Sequence, residues 1–167
     1  MKQDVAIVML FLENLKMNKD LYYMNEAFIE AKKAYQMNEV PVGCVIVYED
    51  KIIARAHNLR HSKKCSIYHG EILAIKEASE ALDRWILSGC TMYVTIEPCI
   101  MCAGAILQSR IDKVVYGTKE ERFGSTYEIF NDALQKQGHK VEIVSGIMAN
   151  EISDLMKQFF KDIREEK

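Results

Sequence analysis

The sequence predicts an α/β domain of five strands and about five helices, on three observations. Short β-branched and apolar runs alternate with longer segments whose apolar residues recur at i, i+3, i+4 and i+7. After one opening hairpin, strands and helices follow one another in turn, the order of an α/β unit. The 167 residues, 49% hydrophobic and 28% charged, suffice for one sizeable core, and no linker, repeat or low-complexity segment divides them.

Residues 1–20 precede the first strongly patterned element and are read as an N-terminal extension; residues 21–167 form the domain. Residues 6–12 are apolar, but Glu13 ends that run far short of a bilayer span, so a short amphipathic or frayed helix is expected there. From Leu21, the positions Met24, Ala27, Phe28, Ala31, Ala34 and Tyr35 share one helical face to about Asn38. Pro41 and Gly43 punctuate the chain, and strands at 42–47 and 52–56 flank the turn Glu49-Asp50 as a hairpin. Residues 58–68 are polar, basic and aperiodic, hence a loop. A second helix opens at His69-Gly70-Glu71 and runs to about Ala81. A third strand at 91–96 leads into a helix that ends near Ser109. A fourth strand at 113–116, a short helix near 129–134 and a fifth strand at 140–144 follow. The last helix repeats Ile152, Leu155, Met156, Phe159, Phe160 and Ile163 on one face.

The chemistry concentrates in Glu97-Pro98-Cys99-Ile100-Met101-Cys102, at the junction of the third strand with its helix. Pro98 suits the first helical position, where its missing N–H costs nothing. Cys99 and Cys102 then share one face of the first turn, where the helix N-terminus favours thiolate. Five cysteines, an odd number with one C-x-x-C, argue against a secreted disulfide framework and for a reducing, cytoplasmic setting. The formal charge of −2 gives no general pull toward nucleic acid, so such binding would need a local basic patch.

His69 opens the second helix, and Glu71 follows two residues later. Two helix starts packed side by side would join one imidazole to two thiolates, three protein ligands that leave a zinc ion one position for water. Glu71 would lie beside the metal and carry protons without binding it. Two other readings stay open at this point. A structural four-ligand site would need another donor from Cys44, Cys65, Cys90, His57, His61 or His139, none of which forms a second paired motif. A thioredoxin-like redox pair fits poorly with the bulky Ile100 and Met101 between the cysteines.

The pattern H-x-E followed by P-C-x-x-C matches the signature of zinc nucleobase deaminases. From about Leu21 to Arg164 the chain resembles the cytidine-deaminase superfamily, and within it the bacterial tRNA-specific adenosine deaminases. The matching text is Pro41-Val42-Gly43, Asn58, His69-x-Glu71 and Glu97-Pro98-Cys99-x-Met101-Cys102-Ala103-Gly104-Ala105, then Ser109-Arg110-Ile111, Val114-Val115-Tyr116-Gly117, His139-Lys140-Val141 and Phe159-Phe160. The resemblance implies a three-layer α/β/α fold, a five-stranded mixed sheet with helices on both faces. It implies one zinc ion per chain on His69, Cys99 and Cys102, and hydrolytic deamination of adenosine to inosine at the wobble position of a tRNA anticodon. Water adds at C6, and Glu71 delivers protons to the ring nitrogen and then to the departing ammonia. Asn58 would hydrogen-bond the flipped base, the Gly70 N–H would contact the ring, and Val42 and Ile96 would wall it. A homodimer with the cysteine helix near its interface is implied as well.

The chain departs from that family at Gly70, where alanine is usual, and after Gly117, where bulkier and more acidic residues replace a Gly-rich loop. The basic residues of 60–64, with Lys119, Arg122, the tail lysines and Arg164, are the expected RNA surface. Two alternatives remain at this stage. Tyr68, Tyr127 and Phe130 could instead lid a pocket for a free nucleobase, nucleoside or related small heterocycle such as guanine or cytosine. A non-catalytic module stabilised by zinc would have no use for Glu71.

Overall fold

Small residues set the first contact of the fold. Helix α1 (Lys2–Gln36) lies against strand β1 (Gly43–Tyr48), and Ala27, Ala31 and Ala34 are fully buried along it. The hairpin partner β2 (Lys51–His57) follows the turn at Glu49 and Asp50, both with positive φ. Helix α2 (Gly70–Leu82), strand β3 (Cys90–Ile96), helix α3 (Ile100–Gln108) and strand β4 (Lys113–Thr118) come next. Helix α4 (Thr126–Gln137), strand β5 (Glu142–Ser145) and helix α5 (Ala149–Glu165) complete the chain. The structure, a computed structural model, describes residues 2–124 and 126–165.

The sheet order is β2-β1-β3-β4-β5. β1 pairs antiparallel with β2 and β3, whereas β3–β4 and β4–β5 are parallel. Alternation along each strand then builds two cores. On one face Cys44, Ile46, Met92, Val94 and Val114 meet Ala74, Ala78, Ala103, Ile106 and Phe130 of α2, α3 and α4. On the other, Val45, Tyr93 and Val115 meet Met24, Ala27 and Phe28 of α1 and Ile152 of α5. This is the expected three-layer mixed-sheet architecture. Because β2 and β3 both run antiparallel to β1 between them, the starts of α2 and α3, which follow those two strands, come to the same end of the sheet.

Three elements differ from expectation. The first helix begins at Lys2 instead of Leu21, because residues 12–20 supply strong helix formers and neither Gly nor Pro interrupts them. Residues 12–19 are exposed, and Asp20 is buried. Pro98 lies outside α3, with Cys99 as the N-cap in extended conformation (φ −72°, ψ 172°), so the helix starts two residues after the proline. Phe160 is turned out of the α5 core, since it sits about 100° round the helix from Phe159. No described helix is long and apolar enough to cross a membrane.

Asp20 fastens α1 to the far end of the sheet. Its carboxylate accepts from Tyr93 Oη at 2.7 Å and from Lys113 Nζ at 3.1 Å, and all three are largely buried. Asp20→Ala is expected to cost roughly 2 kcal/mol, because it strands a buried hydroxyl and a mostly buried ammonium. Thermal unfolding of Asp20→Ala, Tyr93→Phe and the double variant checks this: strictly additive losses would rule out a shared network.

Candidate active site

His69 and Cys99 are the N-cap residues of α2 and α3, and neither side chain caps its own helix. Both side chains are therefore free to point into the gap between the helices, joined by Cys102 from the first turn of α3. His69 Nδ1 lies 3.8 Å from Cys99 Sγ and 3.5 Å from Cys102 Sγ, and the three donor atoms fall within 4.8 Å of one another. A tetrahedral zinc ion with ordinary Zn–N and Zn–S bonds would set a nitrogen–sulfur separation of about 3.6 Å. The donor set therefore fits zinc in both chemistry and spacing. No other such cluster exists among the described residues, so the four-ligand structural reading finds no fourth donor.

The electrostatics agree with that fit. Cys99 accepts hydrogen bonds from Cys102 and His69, which push its thiol down to about 3. Cys102 is raised because it shares its proton with Cys99 and is buried, and the Cys99 hydrogen bond raises His69. A divalent cation binding here would displace the thiol proton of Cys102. Burial raises Glu71 above the ordinary carboxylate range. It is only 3% exposed, and its Oε2 is buried without a hydrogen-bond partner. A carboxylate so placed is costly unless something in the site uses it. Cys99→Ser is expected to lower bound zinc well below one ion per chain; metal analysis after dialysis reads this directly, and full retention would remove Cys99 from the ligand set.

A cavity of about 500 Å³ opens over this cluster. Val42, Asn58, His69, Glu71, Ile96 and Cys99 line it, so seven of the eight expected site residues converge once Cys102 beneath them is included. Gly70 is the exception and requires a correction. Its N–H, expected to meet the ring, donates to Asn58 Oδ1 at 2.9 Å, and Gly70 does not line the cavity. The bond fixes the Asn58 amide with its Nδ2 end left for a ligand. A methyl group at Gly70 would lie 3.2 Å from His57 Cα, a tight approach that fits the glycine found there.

The proposed lid does not form. Phe130 is core, Tyr127 borders a separate cavity between α4 and β5 together with Lys119, and Tyr68 does not line the site. The walls instead include Phe160, Met156, Phe123, Ile100 and Glu97, none of which was expected there. The only sequence signal for Phe160 was its place next to Phe159, since adjacent residues cannot share a helix face. Arg60 and Arg122 also line this cavity, and two adjoining hollows that share Phe160 with it add His61, Lys64, Lys157 and Arg164.

A mixed sheet that gathers one imidazole, two thiolates and a buried carboxylate at two helix starts defines a deaminase of the cytidine-deaminase-like class. The sequence profile of the MafB19-like deaminase family matches residues 17–164. A tRNA-specific adenosine deaminase of Bacillus subtilis is 46% identical over 153 residues, covering 90% of this chain and 94% of that protein. A solved structure from work on A-to-I editing by tRNA:A34 deaminases at the wobble position of transfer RNA is 34% identical. It covers 80% of this chain and 98% of its own, with a TM-score of 0.73. Guanine deaminase from Nitrosomonas europaea, 20% identical over 81% of each chain with a TM-score of 0.72, shares the fold. The chain belongs to the deaminase family that includes the bacterial tRNA-specific adenosine deaminases.

Proposed function

We propose that this protein hydrolyses the wobble adenosine of a tRNA anticodon to inosine, with zinc held by His69, Cys99 and Cys102. The observation that carries the substrate is the open cavity itself. It is walled by apolar side chains where a base would sit and by Arg60 and Arg122, and the hollows beside it add Lys64, Lys157 and Arg164, a local basic patch on a chain of charge −2. Zinc in this position supplies a Lewis acid that makes a water nucleophilic near neutral pH. The chain's own groups do the rest. Glu71 Oε2 takes a proton from the attacking water and returns protons to the ring nitrogen and to ammonia. Asn58 Nδ2 orients the base, and Val42 and Ile96 exclude water from its face.

The deaminase domain is residues 21–167 in this reading, with 1–20 as an extension. It acts as a homodimer in the cytoplasm. The family resemblance and the 70% exposed Ile100 at the start of α3 support the dimer, and five free thiols support the reducing compartment. Sedimentation at micromolar protein tests the dimer.

The substrate test sets an anticodon stem-loop with a wobble adenosine beside free adenine, guanine, cytosine and their nucleosides. Inosine in the RNA is expected. Ammonia from a small molecule with no inosine in the RNA would overturn the assignment.

A further inference from the structure

One glutamate holds both ends of the segment that carries Glu120, Arg122 and Phe123 into the cavity. The Glu97 backbone N–H donates to Thr118 O at 2.9 Å, at the end of β4 where the segment begins. Its side chain holds the far end: Oε1 accepts from Thr126 Oγ1 at 2.7 Å and from Thr126 N at 3.3 Å. Thr126 is fully buried and opens α4, so Glu97 also satisfies an N–H at that helix start. Between these anchors, Gly124 N donates to Glu120 O at 2.9 Å and closes a tight turn. Gly124 lies so close to the Glu97 carboxylate that a methyl group there would fall 2.5 Å from Oε2. A β-bridge pairs Gly124 with Cys99.

We infer that Glu97 is a positioning residue for the reaction: it fastens the substrate-facing segment 119–124 to the loop that presents the ligand Cys99. Two residues on from Glu97, Cys99 enters the metal set; two residues before Gly124, Arg122 enters the cavity wall. The Glu97 carboxylate accepts its hydrogen bonds from Thr126 and is not a member of the donor cluster. Its effect therefore falls on how a substrate is received. Arg122 and Phe123, the latter 65% exposed, lie between the Thr118 and Thr126 anchors, so their place follows from this tether together with the Gly124–Cys99 bridge. The role rests on the wobble-adenosine reading of the same site.

The test compares Glu97→Ala and Thr126→Val with the conservative Glu97→Gln and Thr126→Ser, all as zinc-loaded full chains. Gln keeps an acceptor oxygen and Ser keeps the hydroxyl. Ala and Val are expected to raise KM for the anticodon stem-loop roughly 10- to 100-fold, with kcat changed by less than about threefold. Bound zinc stays at the wild-type level, trypsin cuts faster at Lys119 and Arg122, and Gln and Ser restore both KM and cleavage. Unchanged KM and cleavage in the Ala and Val variants would overturn the inference. So would zinc loss or a fall in kcat alone, which would make Glu97 a support of the metal loop only. Should Glu97→Ala fail to fold, Thr126→Val carries the test, since it deletes one hydrogen bond at constant shape. The cleavage readout needs no substrate: absence of RNA inosine from the wild type defeats the substrate reading, while the tether stands or falls on trypsin.

Discussion

Glu71→Gln is expected to keep its zinc and its fold while kcat falls by about 10²- to 10⁴-fold, the usual share of a positioned general acid–base. Glutamine matches the carboxylate in shape, so the packing around this 3% exposed side chain is retained. It cannot take up and release a proton, which is the single property removed. The size of the loss follows from the site's construction. Among the described residues, Glu71 Oε2 is a buried side-chain oxygen with no hydrogen-bond partner, and it stands beside the His69, Cys99 and Cys102 cluster. Its raised protonation range, caused by burial, brings it nearer to the range in which a carboxyl can both accept and donate near neutral pH. Metal analysis and steady-state inosine formation on the same preparation check the prediction. Activity within a few-fold of wild type would remove the proton-carrying role. Loss of zinc would instead make Glu71 part of the metal set.

What the sequence reveals and what it conceals divide along a physical line. His69, Cys99, Cys102 and Glu71 were legible because each sits within two or three residues of a helix start, where local spacing dictates which side chains converge. The three inner strands β1, β3 and β4 were legible because they are buried on both faces and read as continuous apolar runs. The cavity walls were not. Phe160, Phe123 and Glu97 reach the site through the packing of α5 on the sheet and through the turn after β4, and periodicity carries no record of either. The Gly70 N–H illustrates the same limit: a backbone donor at a helix start is predictable, but its acceptor, Asn58 Oδ1, is fixed by the approach of β2 to α2. Pro98 failed as the first helical residue because Cys99 stays extended and pairs with Gly124, a long-range contact that local propensity does not record.

Gly43→Ala is expected to be the most damaging single substitution in the fold. A methyl group at this position would fall 2.0 Å from Ala27 O and 2.3 Å from Ala31 N. Both are backbone atoms inside α1, so no rotamer change can relieve the clash and the helix itself must lift off the sheet. Overpacking of a core costs about 1–3 kcal/mol and more where backbone must move. A loss of about 3 kcal/mol lowers Tm by roughly 6–12 °C in a domain of this size. The damage should also reach the site. Gly43 N donates to Thr95 Oγ1 at 3.1 Å, and the preceding Val42 O accepts from Asn58 N at 3.1 Å, so lifting α1 disturbs the end of β1 that places the cavity wall. Thermal unfolding at fixed protein and zinc concentration measures the first effect, and KM for the stem-loop measures the second. The double variant Gly43→Ala, Ala31→Gly discriminates the mechanism. Removing the Ala31 methyl frees no space at the clashing backbone atoms, so it should not rescue stability. Recovery of the wild-type Tm in that variant would show that side-chain crowding, and not the backbone approach of α1 to β1, demands glycine at this position.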